Sequence, residues 1–263
     1  MRAYYYHWLA DSTKAFNDLD LAQQYAGDVG ERSIESASIW MKAWILYERG
    51  EVDVSIKKWE EWGEQADKGP ATEFDLNFSL GLAALKKGQI EKARTHLTAM
   101  RTLLSGMPKR LSVPGYAYSS AYCDILEGEV LIAEGSAMKA IEAAGRIPPW
   151  NFPSFASNWA TGQGHYLVPF QKDTLARAYQ MAKKSDEAIG EYERLIRFDP
   201  SRKERALIHP LYYYRLAKLY EQKGLNEKAK AQFESFLEFW KDADPGRPEV
   251  EDARKRVAGL TGS

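Results

Sequence analysis

The feature that most constrains the fold is a fixed spacing of small residues and turn residues that recurs along the chain. It is clearest in GLAALKKGQIEKARTHL (residues 81–97), where Gly81 is followed after seven residues by Gly88, after five more by Ala93 and after four more by Leu97. Small residues let two helices approach closely where they cross, and glycine tolerates the left-handed backbone conformation that ends a helix. The spacing therefore predicts two helices joined by a tight turn.

Copies of this spacing predict an array of stacked helix pairs rather than a single closed core. Four further copies comprise Ala43, Gly50, Ser55 and Trp59; Gly128, Gly135, Ala140 and Ala144; Ala176, Lys183, Ala188 and Tyr192; and Ala217, Gly224, Ala229 and Phe233. A sixth, degenerate copy runs through Ala10, Asn17, Ala22 and Ala26.

Two copies resemble the tetratricopeptide repeat (TPR) family most closely. They are YYYRLAKLYEQKGLNEKAKAQFESFLEFW (residues 212–240) and DTLARAYQMAKKSDEAIGEYERLIRFDP (residues 173–200), the second of which ends on the helix-stopping proline of that family. The resemblance implies an all-α fold, a right-handed α-solenoid of five to six helix hairpins in one domain covering residues 1–263. The expected parts are a degenerate hairpin at about 1–30, repeats at about 36–68, 74–104, 121–147, 169–200 and 210–240, and a capping helix at about 248–259.

Composition narrows the function classes. Lys plus Arg number 36 against 37 Asp plus Glu, which gives a net charge of −1 and disfavours a nucleic-acid or anionic-membrane binder. The single cysteine, Cys123, cannot form an intramolecular disulfide, no apolar run approaches a membrane span, and the N-terminus lacks signal-peptide features. These observations favour a cytoplasmic protein without membrane insertion.

Catalytic and metal-binding patterns are weak. The four histidines, His7, His96, His165 and His209, show no metal-ligand spacing with one another or with Cys123. The sequence predicts no enzyme activity, no metal and no cofactor.

Function in such arrays is expected on the inner face of the first helix of each pair, because those helices line a concave groove. The residues at helical spacing around each small residue predict an aromatic groove that binds an apolar helix or an extended peptide. Trp40 and Trp44 are the anchors we expect to matter most, although aromatic stripes at helical spacing are also typical of core. The predicted groove residues are Tyr4, His7, Trp40, Trp44, Tyr47, Phe78, Tyr122, Phe170, Arg177, Tyr214 and Lys218. Terminal-carboxylate clamps of the family use Lys and Asn at these positions, so such a clamp is disfavoured.

Two breaker-rich insertions interrupt the array, SGMPKRLSVPG (residues 105–115) and PPWNFPSFASNWATGQGHYLVPF (residues 148–170). The longer one is aromatic, which is not typical of a disordered linker. It is either a cover packed over the array or a lid over a binding site. The possible lid residues are Trp150, Phe152, Phe155 and Trp159.

The two ends of the chain carry further signals. The aromatic run Tyr4, Tyr5, Tyr6, His7 and Trp8 indicates either a cut from a longer protein or aromatics buried within the first helix pair. The stretch from residue 208 onward resembles the last repeat and tail of multidomain bacterial signalling proteins, in which a TPR array follows a serine/threonine kinase, cyclase or regulator domain. That resemblance implies a docking or regulatory segment with a possible fused upstream signalling domain.

Two functions remain open at this stage. One is a scaffold that holds a protein or peptide partner in the aromatic groove. The alternative is a sensor array that binds a small ligand under the loop at residues 148–170 and controls a fused signalling domain. A scaffold should expose Trp40 and Trp44, whereas a sensor should enclose a pocket near Trp150 and Trp159.

Overall fold

The structure is a computed structural model and describes residues 2–106, 114–147, 172–197 and 208–261. Within these ranges it contains thirteen α-helices and no strand, which confirms the predicted all-α array of helix hairpins. The chain divides into two compact units: unit 1 comprises Met1–Asp18 with Gly164–Ser263, and unit 2 comprises Leu19–Gln163. The expectation of one domain over residues 1–263 stays a prediction.

The helices follow the chain in order, and helix α2 (Ser12–Val29) contributes its first turns to unit 1 and the rest to unit 2. Unit 2 further contains α3 (Arg32–Glu48), α4 (Val52–Gln65), α5 (Pro70–Lys86), α6 (Ile90–Gly106), α7 (Pro114–Ala133) and α8 (Ala137–Gly145). Unit 1 contains α1 (Arg2–Trp8), the start of α2 (Ser12–Val29), α9 (Thr174–Met181), α10 (Ser185–Ile196), α11 (Pro210–Gln222), α12 (Asn226–Phe239) and α13 (Pro248–Thr261).

The five turn positions chosen from the sequence adopt the left-handed conformation. Gly50, Gly88, Gly135 and Gly224 have φ between 70° and 87°, and Lys183 has φ 58°. Each turn is closed in the same way; for example, the Lys184 N–H donates to the Tyr179 carbonyl at 3.0 Å. A lysine in this conformation costs about 1 kcal/mol relative to glycine, and the closing hydrogen bonds hold it there.

The degenerate first copy was predicted with its turn at the wrong residue. Asn17 lies inside α2, and the backbone reverses instead at Ala10, which has φ 59°. A further turn of the common type follows α2 at Gly30, where the Glu31 N–H donates to the Ala26 carbonyl at 2.8 Å.

Small residues permit close helix crossing, as the spacing predicted. Ala43, Ala93, Ala176 and Ala217 have no exposed surface. At Gly81, a β-carbon would lie 2.7 Å from the Leu126 Cδ2 atom, so α5 and α7 approach too closely there for any larger residue to fit without movement.

Within unit 1 the N-terminal aromatic residues pack against the C-terminal hairpin. The Trp8 indole N–H donates to the Ile208 carbonyl at 2.9 Å, and the Trp240 indole N–H donates to the Trp8 carbonyl at 3.0 Å. The ring of Trp8 also meets Phe239 edge to face at 5.3 Å. Tyr4, His7 and Trp8 are therefore buried, whereas Tyr5 is 49 % exposed. Trp8 packs against α12 and the segment before α11 rather than inside the first helix pair.

The helix expected at the C-terminus begins at Pro248, as predicted. Proline suits the first helical position because its missing N–H would have had no intrahelical partner. Glu249 and Glu251 lie in the first turn, where they complement the positive end of the helix dipole. The helix continues through Gly259 to Thr261, two residues beyond the predicted end.

Candidate partner-binding surface

The aromatic residues predicted as the main anchors lie in the core of unit 2. Trp40 and Trp44 of α3 are 2 % and 1 % exposed. Trp59 of α4 meets Trp44 edge to face at 4.9 Å, and Trp62 lies 6.4 Å from Trp40. These four tryptophans and Tyr47, whose ring lies 5.4 Å from that of Trp44, form the tryptophan cluster. The expectation that Trp40 and Trp44 are exposed in a groove is wrong, because the second helix of the same hairpin supplies the rings that cover them.

The indole N–H groups of the tryptophan cluster are unusual. Those of Trp40, Trp44, Trp59 and Trp62 are all buried, and none has a hydrogen-bond acceptor among the described residues. A buried donor without an acceptor costs about 1–3 kcal/mol. The cluster is therefore stabilised by apolar burial and by ring contacts worth about 0.5–1.5 kcal/mol per pair, not by hydrogen bonds from the indoles.

Three other predicted groove aromatics are buried between helices of unit 2. Phe78 of α5 and Tyr122 of α7 meet edge to face at 4.6 Å. Tyr47 is covered by Lys86, whose ammonium lies 3.8 Å from the ring centre and donates to the Tyr47 carbonyl at 2.6 Å. These aromatics join neighbouring hairpins, so the predicted exposure is wrong for them as well.

The predicted groove residues Tyr4 and His7 are buried within unit 1. Burial, assisted by the positive charge of Arg247, lowers the pKa of His7 to about 3. His209 caps the N-terminus of α11, and its Nδ1 accepts a hydrogen bond from the Leu211 N–H at 3.1 Å. Burial lowers the pKa of His209 well below its usual value, with a further contribution from Arg215. Both imidazoles are therefore neutral at pH 7.

A buried carboxylate organises the hairpins of unit 1. Asp173 precedes α9 and has no exposed surface, yet it does not cap that helix. Its oxygens accept a hydrogen bond from the Tyr192 hydroxyl of α10 at 2.9 Å and pair with Arg177 of α9 and Arg215 of α11. One side chain thus connects three helices. We call Asp173, Arg177, Tyr192 and Arg215 the Asp173 network.

The charges of the Asp173 network determine its ionisation. Burial alone would raise the pKa of Asp173, but the guanidinium groups of Arg215 and Arg177 and the Tyr192 hydrogen bond outweigh burial and lower the pKa to about 2. Burial and the adjacent carboxylate raise the pKa of Tyr192. The network therefore carries one negative and two positive charges at neutral pH. The two arginine side chains remain 28 % and 33 % exposed, so they also face solvent.

Three predicted groove residues of unit 1 are partly exposed: Arg177, Tyr214 and Lys218. The Tyr214 hydroxyl donates to Asp252 of α13 at 2.7 Å, and the Lys218 ammonium lies 5.3 Å from the Tyr214 ring centre. Arg215 adjoins them on α11. We call these four residues the basic face.

The predicted groove residue Phe170 lies outside the described residues. So do the possible lid residues, which are Trp150, Phe152, Phe155 and Trp159. The interpretation of residues 148–170 as a lid or a cover stays a prediction.

Sequence reasoning missed two charged residues. Asp75 stands six residues before Gly81, where the spacing rule that selected Phe78 would have found it, and its burial raises its pKa to about 7. Arg215 follows Tyr214 in the sequence, but it pairs with Asp173, which belongs to the preceding hairpin. Spacing within a single repeat gives no signal for such a contact.

Within the described ranges, no group of three or more His, Cys, Asp or Glu side chains could hold a metal ion. Burial, the largest influence, raises the pKa of the Cys123 thiol to about 12, which leaves it protonated and unreactive. The same ranges contain no helix with the length and apolarity needed to cross a bilayer.

Comparison with known proteins finds a repeat in the segment that includes α9 and α10. Residues 174–201 match the tetratricopeptide repeat family. Among solved structures, the chain is similar to a double mutant of MamA RS-1, with 15% sequence identity over 80% of this chain and 98% of that chain and a TM-score of 0.38. It is also similar to the TPR domain of P58(IPK), with 12% identity over 95% of this chain and 67% of that chain and a TM-score of 0.39. No curated protein matches the chain. The chain is thus an array of helix hairpins in which one segment, residues 174–201, matches the tetratricopeptide repeat family.

Proposed function

We propose that the chain is a protein-interaction scaffold and that a partner segment binds across the basic face of unit 1. The proposal rests on which of the predicted groove residues are exposed to solvent. Of the predicted groove residues in the described ranges, Arg177, Tyr214 and Lys218 alone reach solvent, and the rest are buried. A surface must be accessible to bind, so these three are the candidates from the predicted set.

The charge of the basic face defines the partner that fits it. Arg177 and Arg215 share the carboxylate of Asp173, and both guanidinium groups remain partly exposed. Lys218 adds a third cationic side chain to this face. A partner segment with acidic side chains can pair with the exposed edges of these arginines and with Lys218.

The rigidity of the basic face supports a binding role. Asp173 fixes Arg177 and Arg215 from a fully buried position, and Asp252 fixes Tyr214 through its hydroxyl. Side chains held in place before binding lose less conformational entropy when a partner docks.

The test is affinity capture from a lysate of the source organism with three baits. The first is the native chain, the second carries Arg177→Gln and Lys218→Glu, and the third carries Lys57→Gln and Lys139→Glu on exposed surfaces of α4 and α8 as a control with the same change in net charge. We expect a protein that the native and control baits retain and the basic-face variant loses. Equal retention by all three baits would contradict the proposal.

We also propose that the array serves as a docking segment within a larger bacterial signalling protein of the cytoplasm. The resemblance of residues 208–260 to the tails of such proteins supports this proposal. An antibody raised against the chain should detect, in the cytoplasmic fraction of the source organism, a protein larger than 29.9 kDa. Detection of a species of that mass alone, or of a membrane-bound form, would refute it.

A further inference from the structure

Helix α2 carries an apolar row on its exposed side. Leu21, Tyr25 and Val29 are four residues apart and therefore lie along one side of the helix. They are 42 %, 61 % and 71 % exposed, whereas Leu19 on the opposite side of the helix is buried. Ile34, just beyond the turn at Gly30, is exposed as well. We call Leu21, Tyr25 and Val29 the α2 stripe.

The concentration of exposed apolar surface at this site is not a general property of the molecule. Nine large hydrophobic side chains are exposed in the described residues, and four of them fall between residues 21 and 34. Scattered single apolar residues on a surface need no explanation, but a contiguous group indicates an interaction site. None of these four residues belongs to the basic face.

Acidic residues border the α2 stripe. The row one residue earlier, Asp20, Gln24 and Asp28, is exposed, and Glu31 is exposed at the turn that follows. Lys42 reaches Asp20, but that carboxylate remains largely in solvent. Arg32 is the one basic residue between positions 19 and 36, against four acidic residues in that range. We call Asp20, Asp28 and Glu31 the acidic rim.

The row one residue later is formed by Ala22 and Ala26, which are small and at least partly buried. The α2 stripe is therefore bordered by acidic and polar residues on one side and by small buried residues on the other. A helix laid along the stripe would place its apolar side chains on Leu21, Tyr25 and Val29 and one flank beside the acidic rim.

We propose that the α2 stripe docks an amphipathic helix of a partner protein whose polar flank is basic. Apolar contact with three exposed side chains supplies the binding energy, and pairing with the acidic rim sets the orientation of the partner. A second copy of this chain is a poorer occupant, because a two-fold interface brings the same patch together and would set the acidic rim against itself.

The test is titration of the full chain with fluorescent peptides of about 18 residues, a length at which helices begin to be stable in water. One peptide has leucines on one face and lysines on the other, the second replaces every lysine with glutamate, and the third scrambles the first so that it has no apolar face. Three variants accompany the native chain. A stripe variant carries Leu21→Ser, Tyr25→Ser and Val29→Ser; a rim variant carries Asp28→Lys and Glu31→Lys; and a control carries Val54→Ser, Met138→Ser and Leu225→Ser at comparably exposed apolar positions.

We expect the basic amphipathic peptide to bind the native chain and the control equally. The stripe variant and the rim variant should each weaken that binding about tenfold or more, and the acidic and scrambled peptides should bind at least tenfold more weakly than the basic one. The proposal is overturned by absence of binding, by equal binding of the basic and acidic peptides, or by equal weakening in the control. It is also overturned if sedimentation shows a native dimer that the stripe variant dissociates, since the occupant would then be a second copy. All four proteins should give the same helical circular dichroism, because every substituted side chain is exposed.

Discussion

In unit 2 the hairpin of α3 and α4 buries four tryptophans whose indole N–H groups meet no acceptor in the described structure, whereas in unit 1 the hairpin of α9 and α10 buries a carboxylate that satisfies groups from three helices. Both hairpins use the same spacing of small residues and the same left-handed turn. The spacing therefore determines where a hairpin forms, but it does not determine which side chains fill the space between neighbouring helices. Apolar rings fill that space in unit 2, and a paired carboxylate fills it in unit 1.

The largest expected effect is on the tryptophan cluster. Trp59→Ala should destabilise unit 2 by about 3–5 kcal/mol, because it removes a fully buried ring and leaves a cavity. Trp59→Phe should cost much less, since the indole N–H has no acceptor to lose. Amide hydrogen exchange in α3 and α4 measures both. Equal losses for the two variants would show that the indole N–H makes a hydrogen bond that this account lacks.

The Asp173 network should give the next largest effect. Asp173→Ala leaves Arg177 and Arg215 without their shared anion, and their partial exposure reduces the penalty to about 2–3 kcal/mol. Asp186→Ala is the matched control, because its pair with Lys223 is exposed and should contribute less than about 1 kcal/mol. Amide hydrogen exchange in α9, α10 and α11 should become faster in Asp173→Ala and stay unchanged in Asp186→Ala. A larger effect of Asp186→Ala would contradict the stabilising role of the Asp173 network.

The two units should respond to pH in opposite directions. Burial holds the folded-state pKa of Asp75 near 7 against 3.8 for the ordinary carboxyl, so the stabilising protonated form is fully present below pH 3.8 and is lost as pH rises through 7. In unit 1 the pKa of His7 is depressed to about 3, so the stability it contributes is present above pH 6.5 and is lost as pH falls towards 3.

Asp75→Asn tests this contrast in unit 2. At pH 8 the variant should be clearly more stable than the native chain, because asparagine carries no charge to bury, and the difference should vanish below about pH 4. Asp67→Asn provides the control, because it makes the same substitution at an exposed position of the same unit. Urea unfolding across pH 4 to 8 is the measurement, and a constant difference between native and Asp75→Asn protein would contradict the assignment.

The smallest effects concern two glycines within helices. Gly81→Ala should destabilise α5 by about 1 kcal/mol, because the new methyl group meets Leu126 and the clash outweighs the gain in helix propensity. Gly190→Ala in α10 has open space and should stabilise by about 0.5–1 kcal/mol. Thermal unfolding compares them; a stabilising Gly81→Ala would show that α5 and α7 can separate at no cost.

The sequence predicted the backbone better than the surface. Turn positions such as Lys183 and the start of α13 at Pro248 depend on neighbouring residues, so local spacing is sufficient to find them. Exposure depends on what lies opposite. Trp40 and Trp44 form a stripe suitable for a groove, but Trp59 and Trp62 on the next helix cover them. Periodicity within one helix cannot distinguish a face that meets solvent from a face that meets its own hairpin.

The candidate site was partly predictable for the same reason. Arg177, Tyr214 and Lys218 were selected from helical spacing and do reach solvent. The pairing of Asp173 with Arg215, 42 residues away, required the packed structure. The α2 stripe was missed because α2 was expected to break at Asn17, which placed Leu21 and Tyr25 in a second helix of a hairpin instead of on the exposed side of one continuous helix.

We infer that the predicted aromatic anchors are core residues and that binding lies elsewhere. Fluorine NMR of the chain labelled with fluorotryptophan tests this inference most directly. Each of the eight tryptophan signals can be assigned by a single Trp→Phe substitution, and a soluble paramagnetic agent then reports which rings meet solvent. The account predicts that the signals of Trp40, Trp44, Trp59 and Trp62 are all unaffected by the agent. Strong broadening of Trp40 and Trp44 would show an open aromatic groove and contradict the account.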